Sequence, residues 1–532
     1  MGSNQPAAPP DHGNIYDLLT RAAADDPSHI VCRLGDQVMT RADLVQRACA
    51  VARTLERRGL RRGERVAVML DNSPDHLAVI FGLAKAGMVW VPVNTRQRGD
   101  GLAYVLEHSE PSMVLAEAAM APVLEPALPE RLKCAVLLRS ADTGCALFGE
   151  PDAAAEPWGR AASAEGAAAL LNISYTSGTT GRPKGVLVTH RMLQTATQAV
   201  LSLAEIRDGD RMIVWEPFFH IGGSQLIIIP LLHKVTLALV ERFSASRFWD
   251  QVRENGASQL HYLGSVLPVL LKQQPGPEDR THGARIAWGG GCPRDIWREV
   301  EERFALSIRE CYGMTETSSI VSCNFTGKLG SVGRPLPWFE MKIVDEAGRT
   351  AAAGELGEIA VRERIPGVLF AGYFRDPSAT AAALRDGLLY TGDLGSCDAE
   401  GDFYFHGRKT DSLRHRGENV SAFDVEHVVH QHPDVEECAV IGVPSELGEQ
   451  DIKLFVRVKP GRVLMPAGLA AWCADRLADF QVPRYIVEIE RFEKTASERI
   501  MKHALSRDTA GVWDRLAPTS ANSDDGRKRG SP

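Results

Sequence analysis

Short β-branched runs alternate with helical patterns along most of this chain, and that alternation restricts the fold more than any other feature. Arg65–Leu70 (RVAVML) precedes a helical pattern over Pro74–Ala86, which leads into Met88–Val93 (MVWVPV). Such alternation is the mark of an α/β protein. It resumes at Leu170, and Val235–Val240 (VTLALV) predicts a strand buried on both faces. From about Leu336 to Phe405, strand-like runs with glycine turns dominate, as in Gly354–Val361 (GELGEIAV), and predict a smaller β-rich layer. After Arg408 the pattern becomes compact α+β, with helices over Val425–Gln431 and Leu469–Phe480 and strands over Glu437–Val443 and Ile452–Val458. The expected organisation is a large N-terminal α/β domain over 14–408, a hinge at 409–411 and a small α+β C-terminal domain over 412–510. The ends, Met1–Gly13 and 520–532, are expected to be loose tails.

Charge and cysteine usage exclude several functions. Lys and Arg total 60 against 68 Asp and Glu, and a net charge of −8 disfavours a general nucleic-acid binder. An anionic ligand must therefore be held by a local pocket. The ten cysteines are scattered, with no CxxC pair or Cys/His cluster, which fits a reduced cytoplasmic setting without zinc or iron-sulfur chemistry. The most apolar stretch, Leu226–Val240, is interrupted by Pro230, His233 and Lys234 and is too short to cross a membrane.

The strongest chemical signal is Tyr175–Gly185, YTSGTTGRPKG. Gly178, Gly181 and Gly185 permit sharp turns with inward amides. Thr176, Ser177, Thr179 and Thr180 add hydroxyls, and Lys184 adds a charge. The loop suits phosphate, but it lacks the Gly-Lys-Ser/Thr run of P-loop NTPases. The plainer reading is a polar hairpin between strands Leu171–Tyr175 and Gly185–Val188.

This segment resembles the signature loop of the adenylate-forming superfamily, in particular its acyl-CoA ligase branch. Other segments fall in the family's order: Pro217–Gly223 (PFFHIGG), Gly289–Pro293 (GGGCP), Tyr312–Glu316 (YGMTE), Tyr390–Leu394 (YTGDL), Gly407–Asp411 (GRKTD), Arg416–Val420 (RGENV) and Gly442–Pro444 (GVP). The resemblance covers roughly Ile15 to Ala504. It implies a two-step reaction, in which a carboxylate attacks the α-phosphate of ATP to give an acyl-adenylate and CoA then displaces AMP.

The resemblance also assigns roles. Glu316 with Thr176 corresponds to the Mg2+-associated position, suited to a hard cation. Tyr312 would stack on adenine, Gly289, Gly290 and Gly291 would allow close approach to the base, and Gly313, Met314 and Thr315 complete the nucleotide motif. Asp393 and Arg408 would bind the ribose. His220, Gly222, Trp288 and Met314 would line the acyl pocket, His220 beside the route of the CoA thiol. Phe218-Phe219-His220 stands where amino-acid-activating relatives usually place an Asp, which points to a substrate without an α-ammonium group. Singly, Asp393 reads equally as a turn residue, Arg408 as a surface ion pair, and Tyr312, Trp288 and Met314 as core.

The C-terminal segment departs from the family pattern. Relatives carry P-K-T-x-S-G-K, whose last lysine stabilises charge in the adenylation transition state. Here the run is EKTASERI, which places Glu498 on the glycine and Arg499 on the lysine. Arginine keeps the charge but is a wider planar fork. The thiolation face, with Gly417 for the pantetheine arm, is retained, while Thr410 occupies a hinge position where relatives have Asp or Lys. The expectation is an enzyme specialised for forming acyl-CoA from an acyl-adenylate and CoA, with weak adenylation and a separate adenylating partner. The alternatives are a complete ATP-dependent synthetase, in which Arg499, Lys494 or Lys502 supplies the charge, and a non-catalytic protein that binds acyl-adenylate or AMP.

Overall fold

The computed structural model describes residue 9 and residues 11–140, 144–145, 166–176, 182–264, 266–409, 412–415, 418–445, 450–495 and 499–517. The chain divides into two compact units, Met1–Met341 with Ala360–Tyr390, and Lys342–Ile359 with Thr391–Pro532.

The first unit is α/β, as the alternation predicts. In its seven-stranded sheet, Arg65–Met69 pairs in parallel with Val89–Pro92 and with Met113–Glu117. The intervening helix spans Pro74–Ala86 because both ends are marked. The Ser73 hydroxyl accepts from the His76 amide, Pro74 takes the first turn, and Gly87 closes the helix in the left-handed region at φ +66°. At one edge of this sheet Leu170–Thr176 pairs antiparallel with Lys184–Thr189, bringing Thr176 opposite Lys184.

A nine-stranded sheet forms the rest of the unit's framework. Its central neighbours are the parallel strands Thr236–Leu239, Arg211–Val214, Gln259–Leu263, Ile286–Gly290 and Ser307–Tyr312. Trp215, Phe248, Trp297, Phe304 and Ile308 fill the core against it. The apolar stretch Leu226–Val240 is interior, as a short helix Ile229–Leu232 followed by the strand Thr236–Leu239.

Two expectations change. Asp11–Gly13, read as part of a loose tail, are tied to the helix His190–Leu203. Gln194 accepts from the His12 amide at 3.0 Å and donates to the Gly13 carbonyl at 2.7 Å, and Arg191 pairs with Asp11. The helix read over Leu469–Phe480 runs instead over Pro466–Ala474, with a separate 3-10 turn at Asp479–Gln481. Pro466 starts it earlier because a proline at the first helical position loses no hydrogen bond.

The second unit is α+β. Its four-stranded sheet orders Val435–Pro444, Gln450–Val458, Tyr485–Glu488 and Trp513–Asp514. The helices Ala422–His430 and Pro466–Ala474 contribute Val425, Val429 and Leu469 to a core with Val440, Ile452 and Leu454. Among the described residues no helix is long and apolar enough to cross a membrane.

Candidate active site

In the first unit the glycine signature and the YGMTE segment are linked through a residue not marked by the sequence reading. The Thr176–Lys184 strand pair flanks Ser177, Gly178, Thr179, Thr180 and Gly181, which lie outside the described residues. Val186 bridges to Tyr373, and the Phe374 amide donates to the Gly185 carbonyl at 2.7 Å. This carries Tyr373 across, so that its hydroxyl donates to Glu316 Oε1 at 2.9 Å while Lys184 Nζ sits 5.0 Å from its ring centre. Glu316 is buried, in the turn Thr315–Thr317. That turn is followed by Ser318 and Ser319 at φ +53° and +69°, a strained pair of the kind found behind functional side chains.

Glu316 and Thr176 present oxygen ligands of the type a hard cation takes. Among the described residues no group of three His, Cys, Asp or Glu side chains gathers to hold a metal alone.

The base-side residues are fixed by close packing. A Cβ on Gly289 would run into the Tyr262 carbonyl oxygen, and one on Gly313 into that of Ser319. Gly291 has φ +97°, the left-handed region that favours glycine. Tyr312 ends its strand buried, on the same face as Glu310 and Ile308. Glu310, also unmarked in the sequence reading, accepts from the Tyr262 hydroxyl, the Gly291 amide and the Cys292 amide, the last at 3.2 Å. Burial pushes its carboxyl up to about 7 against the pull of those three donors. Met314 is half-buried, its amide donating to the Thr317 hydroxyl at 3.0 Å.

Two of the residues assigned to the acyl pocket, Gly222 and Trp288, are linked through another pair absent from the sequence reading. His220 caps the short helix Ile221–Ser224 and packs against Phe219 at 5.0 Å between ring centres. Gly222 lies directly on the Glu216 carboxylate, which a Cβ would penetrate. Glu216 Oε2 is 3.0 Å from His261 Nδ1, and the His261 ring stacks on Trp288 at 4.2 Å. Gly222 and Trp288 thus connect through Glu216 and His261. The signal available in the sequence was a carboxylate just after the apolar run Met212–Trp215.

In the second unit Asp393 and Arg408 are opposite each other in an antiparallel pair, with Arg408 Nε 2.9 Å from Asp393 Oδ1. Asp393 is buried and Arg408 is half-buried, and the two form an ion pair across adjacent strands. Arg499 is exposed, its amide donating to the Thr495 hydroxyl at 3.1 Å. Lys494 pairs with Glu437, and Lys502 pairs with Glu426 at 2.8 Å. Thr410, Gly417 and Glu498 lie outside the described residues.

Comparison with known proteins identifies the family. The model of the AMP-binding enzymes matches residues 19–374, and that of the AMP-binding enzyme C-terminal domain matches residues 424–499. The chain belongs to the AMP-binding enzyme family. Its relatives include a crotonobetaine/carnitine–CoA ligase of Salmonella paratyphi A, 33% identical over 463 residues that cover 84% of this chain and 89% of the relative. Among solved structures it is similar to the O-succinylbenzoate coenzyme A synthetase of Bacillus subtilis in complex with AMP. The TM-score is 0.78 at 27% identity, covering 93% of this chain and 98% of that one. ATP-bound MatB from Rhodopseudomonas palustris gives a TM-score of 0.81 at 26% identity, covering 92% of this chain and 97% of the other. The family member described here is an enzyme of the CoA ligase kind.

Proposed function

We propose that this ligase is specialised for the second half of the family's reaction, transfer of an acyl group from acyl-adenylate to CoA, and that it activates the free acid with ATP only weakly. In this step the thiolate sulfur bonds to the acyl carbon and the bond from that carbon to the phosphate oxygen of AMP breaks. Tyr312 supplies a stacking face for adenine beside Gly289–Gly291, and Asp393 with Arg408 receives the ribose. Thr176 and Lys184 anchor the loop that holds phosphate, and Glu316 with Thr176 offers ligands to Mg2+. His220, Gly222, Trp288 and Met314 define the acyl side. Gly417 admits the pantetheine arm, and Thr410 is the hinge between a domain over 14–408 and one over 412–510.

The neighbourhood of Arg499 carries this reading. Lys494 and Lys502, the nearby cations able to replace a missing lysine, are each engaged by a carboxylate, while Arg499 is exposed. A guanidinium on that short segment presents a different shape from an ammonium, so the charge over the α-phosphate is weakened. A separate enzyme would then supply the acyl-adenylate, in the reduced cytoplasmic setting that fits the cysteines. Loss of one transition-state donor lowers such a step by ~10²-fold or more.

A complete ATP-dependent synthetase is the second reading, favoured by the charge that Arg499 retains. A non-catalytic binding protein is disfavoured by the Tyr373 and Glu316 contact and the Asp393 and Arg408 pair. ATP–pyrophosphate exchange with a set of carboxylic acids, alongside thioester formation from synthetic acyl-adenylates, separates the three. Thioester without exchange is expected. Robust exchange would establish the complete synthetase, and no thioester from any adenylate would leave the binding protein.

A further inference from the structure

The strand Ile286–Gly290 lies between Gln259–Leu263 and Ser307–Tyr312, and the three run parallel. In register, Gly289 is opposite Tyr262 on one side and opposite Glu310 on the other. The glycine segment therefore leaves the sheet between a tyrosine and a carboxylate, at the carboxyl ends where open parallel sheets bind ligands. The Gly264 amide donates to the Gly290 carbonyl at 2.9 Å and holds the segment to the first neighbour.

Glu310 holds it to the second. Its side chain is buried on the face of its strand that also carries Tyr312, two residues further on. There its carboxylate receives the Gly291 amide, the Cys292 amide and the Tyr262 hydroxyl. Hydrogen bonds to an ionised acceptor are the strong ones. Tyr262 is engaged twice, since its carbonyl is also what Gly289 packs against. One carboxylate thus ties the glycine segment to both of its neighbouring strands.

The groups facing that carboxylate are Tyr262 from one strand, Cys292 from the glycine segment and Cys311 from its own strand. Burial pushes the hydroxyl and both thiols up, so all three keep their protons near neutrality. Beyond Cys292 lie Asp295 and, on the helix Trp297–Phe304, Glu301, which is engaged by Arg298 and the Ile308 amide. Among the described residues no lysine or arginine offsets the charge of Glu310. Of Glu310 and its three facing groups, Glu310 alone exchanges its proton near neutrality, at about 7. Ionised, it accepts from all three donors. Protonated, it gives up acceptor capacity and needs an acceptor of its own.

We propose that Glu310 is a positioning residue of the nucleotide site, whose carboxylate sets Gly289–Gly291 against the strand ending in Tyr312 and makes adenine binding depend on its ionisation. It acts through backbone amides rather than on the reacting atoms. This rests on the reading of Tyr312 and Gly289–Gly291 as the adenine side.

The test is calorimetric titration of the full chain with 5′-O-sulfamoyladenosine, a nucleotide mimic uncharged near neutrality, from about pH 6 to about pH 8.5. Wild type should bind more tightly as pH rises, by up to about 10-fold, the most that one proton released near 7 contributes over that span. Glu310→Gln should bind about 10-fold more weakly than wild type at the upper end and lose the slope. Tyr262→Phe removes a donor that favours the ionised form, so it should keep the slope and move its midpoint above 7. A flat wild-type profile overturns the inference without relying on any variant. So does a Glu310→Gln protein that keeps the wild-type slope, or one weakened equally at every pH, which marks a merely structural role. No binding by wild type at any pH overturns the adenine-side reading beneath it.

Discussion

The surroundings of Glu316 and of Arg499 differ in how firmly each is determined. Glu316 is buried and reached by Tyr373, whose own place is set by pairing beside the Lys184–Thr189 strand. Moving that carboxylate means disturbing several backbone contacts. Arg499 is exposed on a short bridge between Lys494 and Ile500. A substitution at the first place disturbs a buried, hydrogen-bonded carboxylate, whereas one at the second alters a side chain at the exposed surface. Chemistry can therefore be lost at Arg499 while the nucleotide residues stay intact.

The largest expected effect sharpens the first side of this contrast. Gly289→Ala drives a methyl group into the Tyr262 carbonyl, and overpacking of this kind costs ~1–3 kcal/mol. AMP affinity, measured by calorimetry, should fall by roughly 10- to 100-fold. Unchanged affinity would show that the close approach of the backbone there is incidental.

Arg499→Lys addresses the other side. It should raise ATP–pyrophosphate exchange by about 10-fold, part of the ~10²-fold worth of a single transition-state donor, and leave thermal stability unchanged. No gain, even with Glu498→Gly added, would place the defect elsewhere.

Glu310 gives a pH signature confined to the first unit. Its carboxyl keeps its proton up to about 7, whereas its ordinary value is 4.5. The folded state therefore binds more protons across that window. Its stabilising contribution is fully present below 4.5 and is lost as pH rises through 7. Glu310→Gln should flatten this slope, which is at most about 1.4 kcal/mol per pH unit, in denaturant titrations at a series of pH values. An unaltered slope would remove Glu310 from the account.

The smallest effects concern the lysines flanking Arg499. Lys502→Ala breaks a partly exposed ion pair and should cost no more than about 1 kcal/mol, and Lys494→Ala leaves the buried Glu437 with Arg457 as its remaining cation and should cost about 1–2 kcal/mol. Neither should change pyrophosphate exchange. A collapse of exchange in either variant would identify that lysine as the source of the charge and end the contrast.

Legibility in the sequence followed the range of the contacts involved. Pro74–Ala86 was readable because its cap, its first-turn proline and its closing glycine are all local. Tyr312, Glu316, Asp393 and Arg408 stand in ordered motifs that can be picked out locally, while the burial of the first three and the pairing of the last two emerge only in the fold. Glu216 and His261 are separated by a strand crossover, and only the parallel register of the sheet brings them together. Tyr373 was hidden similarly, since its bridge to Val186 joins distant segments. Glu310 had a weaker local sign, a carboxylate at an inward position of an alternating strand. Asp11–Gly13 looked like a tail because the side chain that holds it, Gln194, lies in a distant helix.

The central claim is that the adenylate-holding residues are intact while the charge needed to make the adenylate is weakened. The most direct test is the rate of acyl-CoA formation by one preparation, supplied either with a synthetic acyl-adenylate or with the same acid plus ATP and Mg2+. The account predicts that the adenylate route is faster by ~10²-fold or more. Equal rates from the two starting points would contradict it.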